Sequence, residues 1–520
     1  MHNLEYDLKH ERTNPNDLEL QQQLEDKYVM HTFSRMPVEF VDGEGMYLYD
    51  NKKRKYLDFI AGIGACSLGH CPRVLEFALK MQAERLIHVS NYYHIEYRGQ
   101  LARLISYLLN NECKTPKVSI ELSEKENLYR NSGSNLEHLD YLEEISDEFN
   151  KTQNYTKPPT WQSFFANSGA EANECAIKLA RLYARRAWVA AGHEAEKSPR
   201  TIVVLEHGFH GRTLATLAAT AQPVKQEWFN PLDPAFVTTP INDVEALEHL
   251  FKEQGDQICA VLFEPIQGES GVHPCTLDFM RAIRTLTQKH NALMMCDEVQ
   301  CGCYRTGQPF AFQHYGVVPD VVTMAKGIGG GVPCGVCSAR EEVAAAFKPG
   351  DHGSTFGGSN LAVKAMFAVL NELSGYKAAN DSRHVDDGIE DKTNYSYVWD
   401  EMYISRAGKD KDYAWRVRSV GDYLQVRLSG LDRYRKPFSE VRGLGMMVAV
   451  DLSDEINATA PEIVQAGLEA YPPVVLNATG PRTLRFLPPL ICSYDDVENM
   501  EIGLSHAISE AEDKNKKAQA

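Results

Sequence analysis

One lysine lies among apolar and glycine residues in the segment PDVVTMAKGIGGGVPCG, residues 319–335. The apolar run Val321–Met324 before it predicts a buried strand, and the glycines after it allow the backbone to turn sharply. Lysine is rarely buried without a partner. Lys326 is therefore either a side chain that reaches the surface along its aliphatic stem or an amine that forms a Schiff base with a carbonyl.

Two carboxylates follow another apolar run, in the segment MMCDEVQ, residues 294–300. Residues two apart share one face of a strand, so Asp297 and Val299 are predicted to point to the same side. Cys296 and Glu298 then point to the other side. A carboxylate beside a flat apolar contact suits a heteroaromatic ring whose protonated nitrogen needs a counter-ion. The alternative is an aspartate that caps nearby backbone N–H groups.

Small residues separate a predicted strand from a predicted helix in ANSGAEAN, residues 166–173. Ser168, Gly169 and Ala170 would leave backbone N–H groups and the positive end of the helix dipole accessible, which suits a phosphate group. The alternative is a plain helix cap by Asn167 or Ser168.

Phe209 and Arg212 lie close together in HGFHGRT, residues 207–213. The phenyl ring offers a second face for a bound heteroaromatic ring, and the guanidinium offers a clamp for a carboxylate. His207 and His210 have no predicted metal partner and are interpreted as loop histidines. A phosphate cradle, a ring counter-ion, a stacking aromatic and a lone lysine together indicate pyridoxal phosphate (PLP), with Lys326 as Schiff-base residue and proton shuttle.

The composition is that of an ordinary globular protein, with 520 residues, 43% hydrophobic residues and a formal charge of −17. The acidic excess argues against nucleic acid or an anionic membrane as the main partner. No apolar run is long enough to predict a transmembrane helix, and the polar N-terminus lacks the pattern of a targeting peptide, so the cytoplasm is the expected location. No metal site is predicted, because five cysteines of this region are interpreted as small buried hydrophobes: Cys296, Cys301, Cys303, Cys334 and Cys337.

Strand-like and helix-like segments alternate through the middle of the chain, which predicts an α/β fold with a mostly parallel, buried sheet. Segments near the C-terminus predict a second, smaller α+β domain. We expect residues 86–374 to form the large domain, residues 375–520 the small domain, and residues 1–85 to join the small domain. The polar segments at about 113–159 and 376–412 are interpreted as surface insertions.

Seven motifs occur in the order found in class III PLP-dependent aminotransferases, and the chain is identified as resembling that family. The resemblance runs from about Lys27 to the C-terminal helix, apart from the two polar insertions. The motifs are FANSGAEANECAIKLAR, FHGRTLAT, EPIQGESGV, DEVQCG, TMAKGIGGG, HGSTFGGSNLA and LRFLPPL.

The resemblance implies a fold-type-I homodimer with its active site at the subunit interface, and catalytic roles for Lys326 and Asp297. The residues that it assigns to the cofactor are Ser168, Gly169 and Ala170 at the phosphate, Phe209 and Val299 on the two faces of the ring, Asp297 at the ring nitrogen, Gln300 near the ring hydroxyl, Lys326 as the Schiff-base amine and Thr355 at the phosphate of the other subunit.

For the substrates, the resemblance implies that Arg212 binds the carboxylate of the amino donor. Arg485 would bind the 2-oxoglutarate carboxylate, and Glu269 would cover Arg485 in the other half-reaction. The implied activity moves an amino group from the far end of an ω-amino acid to 2-oxoglutarate. N-acetylornithine is the favoured donor, as in arginine biosynthesis, because HVSNYYHIE (88–96) resembles the members that use it.

Ornithine or 4-aminobutyrate is the alternative donor, and a racemase or mutase on the same fold is a further enzyme class. A non-catalytic relative should have lost Lys326 or Asp297, and neither is lost. The chain departs from the family at Tyr304, where members often carry a small residue, and at Ala170, where some carry threonine. Only the backbone of Ala170 can therefore serve a phosphate.

Overall fold

The computed structural model describes residues 17–110, 159–375, 412–432 and 436–519. The two predicted polar insertions, 113–159 and 376–412, lie outside the described residues except for their last positions. Among the helices of the described ranges, none combines the length and the apolar composition that crossing a bilayer requires.

Seventeen strands are present in the described ranges. In chain order they are β1 (Phe40–Glu44), β2 (Tyr47–Asp50), β3 (Lys55–Asp58), β4 (Trp161–Ala166), β5 (Thr201–Leu205), β6 (Phe236–Thr239), β7 (Ile258–Phe263), β8 (Ile266–Gln267), β9 (His273–Pro274), β10 (Leu293–Asp297), β11 (Val321–Ala325), β12 (Gly335–Arg340), β13 (Phe438–Leu444), β14 (Met447–Leu452), β15 (Val474–Val475), β16 (Asn477–Ala478) and β17 (Thr483–Phe486).

The α-helices of the same ranges vary from single turns to long amphipathic helices. In chain order they are α1 (Asp17–Tyr28), α2 (Ala61–Gly64), α3 (Arg73–Ala83), α4 (Arg98–Leu109), α5 (Gly169–Ala190), α6 (Leu214–Ala219), α7 (Pro223–Gln226), α8 (Val244–Gln254), α9 (Leu277–Lys289), α10 (Glu341–Ala344), α11 (Asn360–Ser374), α12 (Tyr413–Gly430), α13 (Ala460–Gly467) and α14 (Tyr494–Gln519).

A seven-stranded sheet in the order β4-β12-β11-β10-β7-β5-β6 forms the centre of the fold. Strand β12 runs opposite to the other six, because it pairs antiparallel with β4 and β11, while β11, β10, β7, β5 and β6 pair in parallel. Both faces are covered: Val203 and Leu205 enter one hydrophobic cluster, and Ile202 and Val204 enter another. Strands buried on both faces need continuous apolar sequence, and the predicted α/β class with a mostly parallel sheet is confirmed.

Three smaller sheets accompany the large one in the described ranges: two with four strands and the pair β8-β9. Strands β13-β14-β17-β16 form an antiparallel sheet, and β1-β2-β3-β15 form a mixed sheet. In the latter, β15 lies parallel to β3, with Val474 opposite Leu57. This pairing is compatible with an N-terminal segment that joins the C-terminal part of the chain. The domain boundaries themselves stay a prediction.

The carboxyl ends of the parallel strands meet at one edge of the large sheet. The segments that follow β4, β5, β7, β10 and β11 begin there, and each carries one of the predicted motifs. Ligands in such sheets bind beyond the carboxyl ends of the strands, so this edge is the candidate site.

Candidate active site

The N-terminus of α5 forms a cradle next to the turn that follows β10. Ser168 caps the helix, because its Oγ accepts a hydrogen bond of 3.2 Å from the backbone N–H of Glu171. A Cβ added to Gly169 would lie 2.8 Å from Val299 Cγ1, so glycine is required for this close approach. In the first helical turn the N–H groups of Glu171 and Ala172 are bonded to Ser168, so the N–H groups of Gly169 and Ala170, which have no partner within a helix, are the ones available to an anionic group.

Asp297 is buried at the end of β10, with 2% of its surface exposed. Its Oδ2 accepts hydrogen bonds from Asn173 Nδ2 at 2.7 Å and from His210 Nδ1 at 2.8 Å. Thr323 donates to Asn173 Oδ1 at 2.7 Å and fixes that amide in turn. A buried carboxylate held in this way keeps one orientation.

His210 lies in the loop between β5 and α6, as interpreted, but it is 2% exposed and contacts Asp297, which sequence reasoning missed. Its backbone N–H donates to Thr220 Oγ1 at 3.0 Å, which ties the loop after β5 to the end of α6. His210 Nε2 is buried and has no hydrogen-bond partner in the described ranges. His207 is exposed. Sequence reasoning also missed Asn173, and no local pattern distinguishes it from other helical asparagines.

The prediction that Asp297 and Val299 lie on one strand face is wrong in its detail, because β10 ends at Asp297. Val299 lies in the following turn, and its backbone N–H donates to Asp297 Oδ1 at 3.0 Å. This bond directs the Val299 side chain toward Gly169. The two residues therefore lie together through a turn and not through strand alternation.

Glu298 and Tyr304 are buried in the segment that follows that turn. The carboxylate of Glu298 accepts the backbone N–H groups of Ala311 and Phe312 at 2.9 and 2.8 Å, and burial raises its pKa to about 7. Tyr304 is 6% exposed with a left-handed φ of 63°. The departure from the family pattern at Tyr304 is therefore accommodated inside the protein.

Lys326 directly follows β11 with a φ of 50°, a left-handed conformation that is uncommon for lysine. Burial lowers the pKa of its amine, and the negative charge of Glu269 acts in the opposite direction. The negative charge of Glu269 therefore stabilises the protonated form of the Lys326 amine. No carboxylate of the described residues lies within 4.0 Å of the amine.

Glu269 and Arg485 form an ion pair of 2.8 Å between Oε1 and Nη1. Gln300 contacts both, since its Nε2 donates to Glu269 at 3.1 Å and its Oε1 accepts from Arg485 at 3.0 Å. Burial would raise the pKa of Glu269, but the charges of Arg485 and Lys326 lower it to about 2. Arg485 is fixed from its other side by Asn477 Oδ1, which accepts from Nε at 3.0 Å and from Nη2 at 2.7 Å. Asn477 was not predicted.

Phe209 and Arg212 lie together beside these groups. The backbone N–H of Phe209 donates to Glu264 Oε1 at 2.9 Å, and the guanidinium carbon of Arg212 lies 5.6 Å from the Phe209 ring centroid. A second cation, Lys225, lies 5.2 Å from the same centroid. Arg212 is exposed, and no described carboxylate lies within 4.0 Å of it.

Thr355 lies on an exposed loop in front of the N-terminus of α5. This loop and Asn167 line a cavity of about 370 Å³. Its predicted contact with the phosphate of another subunit stays a prediction.

The arrangement fits a phosphorylated pyridine aldehyde. A helix N-terminus with a glycine-enforced close contact fits the phosphate, and the buried Asp297 fits a protonated ring nitrogen. Lys326 offers an amine without an ion-pair partner among the described residues. The structure thus brings together, around one sheet edge, every predicted cofactor and substrate residue except Thr355, which lies on the exposed rim.

The sequence profile of the family described as aminotransferase class-III matches residues 28–135, 132–394 and 404–508. An acetylornithine aminotransferase of Caldanaerobacter subterraneus subsp. tengcongensis is 38% identical over 94% of this chain and 98% of its own length. The crystal structure of acetylornithine aminotransferase from Elizabethkingia anophelis shares 26% identity with a TM-score of 0.70, over 95% of this chain and 99% of that one.

The ornithine aminotransferase of Toxoplasma gondii, described with partial occupancy of PLP at its active site, has the same fold, with a TM-score of 0.74 and 23% identity over 99% of both chains. The profile covers most of the chain, and the edge residues suit the cofactor. This chain belongs to the class III aminotransferases and is a PLP-dependent enzyme.

Proposed function

We propose that the enzyme transfers the terminal amino group of N-acetylornithine to 2-oxoglutarate, giving N-acetylglutamate semialdehyde and glutamate. Relatives that are named acetylornithine aminotransferases support this donor. The observation that carries the proposal is that one arginine of the site forms an ion pair with a carboxylate and the other does not do so among the described residues. Arg485 is neutralised by Glu269, whereas Arg212 has no carboxylate within 4.0 Å in the described part of the chain.

This asymmetry suits a donor whose only carboxylate is far from its reacting carbon. The neutralised Arg485 does not attract a charge next to the terminal amino group. Arg212, which has no ion pair with any described carboxylate, can bind the distant carboxylate of the donor with charged hydrogen bonds. For 2-oxoglutarate, which has a carboxylate beside the reacting carbon, Glu269 would move aside and expose Arg485.

PLP supplies, when bound, an electron sink for the carbon that loses or gains the amino group. Ser168, Gly169 and Ala170 would hold its phosphate, and Asp297 would hold a proton on its ring nitrogen. Phe209 and Val299 would pack on the two ring faces, and Gln300 would approach the ring hydroxyl. The Lys326 amine would hold the cofactor and move the proton during transfer, which its lowered pKa assists.

We further propose a homodimer in which Thr355 reaches the phosphate of the partner's cofactor. Asn91 Nδ2 donates to the carbonyl oxygens of Ser354 and Gly357 at 2.9 and 3.1 Å, so the segment around Asn91 and the Thr355 loop form one surface. Tyr92 and Phe356 on this surface are 97% and 62% exposed. Exposed aromatic residues next to a site support an interface there. The cytoplasmic location stays a prediction.

Steady-state kinetics with N-acetylornithine, ornithine and 4-aminobutyrate, each against 2-oxoglutarate, test the donor. We expect the highest kcat/KM with N-acetylornithine. A higher value with ornithine or 4-aminobutyrate would show that the proposed donor is wrong while leaving the family assignment intact. Sedimentation of the holoenzyme tests the dimer separately, and a monomer with full activity would contradict the proposed role of Thr355.

A further inference from the structure

Lys225 is a cation of the candidate site that no predicted role includes. It lies on the short helix α7, is partly buried, and its amine is 5.2 Å from the Phe209 ring centroid. Its amine donates to the Gln222 side chain, and Gln222 Nε2 donates to the His207 carbonyl oxygen at 2.8 Å. These two bonds hold the lysine over the segment that also carries Phe209 and Arg212.

Electrostatic coupling places Lys225 in the same site as the substrate residues. Burial lowers the pKa of Lys225, and the guanidinium of Arg212 lowers it further, whereas Glu269 and Glu264 act in the opposite direction. No carboxylate of the described residues lies within 4.0 Å of the Lys225 amine. Arg212 and Lys225, two cations for which the described part of the chain offers no carboxylate within 4.0 Å, both lie beside the Phe209 ring.

We propose that Lys225 is the second cation of the subsite for the donor's distant carboxylate, and that it selects donors whose α-amino group is acylated. This inference rests on the proposed function. A distant carboxylate would be attracted by both Arg212 and Lys225. A free α-ammonium group, as in ornithine, would be bonded to the same carbon as that carboxylate and would be repelled by the same two cations.

Acylation removes the positive charge of the α-nitrogen and leaves a neutral amide. An N-acylated diamino acid therefore keeps the attraction of its carboxylate without the repulsion. The amide carbonyl oxygen can also accept a hydrogen bond from the lysine amine, which has three donors. Lys225 would thus discriminate between N-acetylornithine and ornithine by the charge of the α-nitrogen, which lies at the end of the substrate opposite the reacting amino group.

Lys225→Met tests the inference because it removes the charge and keeps most of the aliphatic stem over Phe209. We expect the ratio of kcat/KM for N-acetylornithine to that for ornithine to fall about tenfold, which corresponds to about 1.4 kcal/mol. The change should lie in KM, because the contact is equally present in the ground state and the transition state. Lys225→Arg should keep the ratio, and Lys252→Met, at an exposed lysine of α8, should leave it unchanged.

Binding of glutarate, an unreactive dicarboxylate, gives a second readout by calorimetry on the holoenzyme. We expect its Kd to rise about tenfold in Lys225→Met and to change little in Lys225→Arg. An unchanged donor ratio with an unchanged glutarate Kd would overturn the inference, as would equal losses in the Met and Arg variants. If the wild-type enzyme prefers a donor other than N-acetylornithine, the proposed function fails. An unchanged glutarate Kd would then still disprove the carboxylate contact of Lys225.

Discussion

Replacing Glu269 separates the two half-reactions, because this carboxylate neutralises Arg485 through the 2.8 Å ion pair. In Glu269→Ala the guanidinium stays fixed by Asn477 but loses its counter-charge. An ω-amino donor then has to bind beside the unneutralised Arg485 guanidinium, although it has no carboxylate next to its reacting carbon that could pair with it. Glutamate, by contrast, finds Arg485 already exposed for the carboxylate next to its amino group.

The size of the effect follows from the pKa of Glu269. Burial would raise that pKa, but Arg485 and Lys326 lower it from 4.5 to about 2. Each pKa unit corresponds to about 1.36 kcal/mol, so the difference of roughly 2.5 corresponds to about 3 kcal/mol in favour of the carboxylate. This contribution is fully present above pH 4.5 and is lost only as the pH falls toward 2, so the pair is complete at neutral pH.

We therefore expect Glu269→Ala to slow the N-acetylornithine half-reaction by up to roughly 100-fold, the rate equivalent of about 3 kcal/mol. The glutamate half-reaction should be unchanged or faster. Single-turnover absorbance changes of the cofactor measure each half-reaction separately. Glu269→Gln, which keeps a hydrogen bond without the charge, should give a smaller difference.

Asn477→Ala is the matched comparison, because it loosens Arg485 without removing Glu269. It should slow both half-reactions, because both depend on an ordered Arg485: the N-acetylornithine half-reaction through its pair with Glu269, and the glutamate half-reaction through its contact with the carboxylate. If Glu269→Ala also slows both half-reactions equally, the ion pair is only structural and the proposed exchange of Glu269 between two positions is refuted.

Three further predictions concern the cofactor and the small sheet. Lys326→Ala should still bind PLP, but borohydride should fix no pyridoxyl group in the peptide of residues 319–335. Turnover should fall at least about 100-fold. A labelled peptide in this variant would contradict the assignment of Lys326. Gly169→Ala should raise the Kd of the cofactor, because the new alanine Cβ would lie 2.8 Å from Val299 Cγ1 and overpacking costs about 1–3 kcal/mol. Fluorescence titration measures this Kd. A value equal to that of the wild type would disprove the close contact. Burial lowers the pKa of His70, but its hydrogen bond to Asp58 raises it from 6.5 to about 9, so this pair stabilises the fold fully below pH 6.5 and less as the pH rises through 9. Asp58→Asn should accordingly lower the unfolding temperature more at pH 6 than at pH 9.5, and an equal decrease at both pH values would refute the charge contribution.

Most of the cofactor residues that the sequence revealed lie at or just after the ends of strands in the large sheet, whereas Arg485 lies on the antiparallel strand β17. Parallel strands end at one edge, so Ser168, Asp297 and Lys326 could be brought together without knowledge of side-chain packing. The apolar runs that precede them also predicted the buried sheet. The strand end at Asp297 was missed, because a strand and the turn after it can carry the same alternation of residue types.

The supporting residues could not be predicted, since their contacts depend on how separate segments pack. Asn173 and His210 are 124 and 87 positions away from Asp297 in the chain. Asn477 lies directly opposite Arg485 on the neighbouring antiparallel strand, a pairing visible only once two very short strands are recognised. Lys225 carries no motif, and its relevance comes from its distance to Phe209.

The parallel pairing of β15 with β3 has a consequence for synthesis of the protein on the ribosome. Arg54 and Glu469, which join these two regions by a 2.8 Å ion pair, are 415 positions apart. At about 5–20 residues per second, a nascent chain takes on the order of 20–80 s to span this interval. During that time the open edge of β3 has no native strand to pair with, and unpaired edges attract other strands. The edge of β3 is therefore a place in this enzyme where chaperone protection during translation would limit wrong strand pairing.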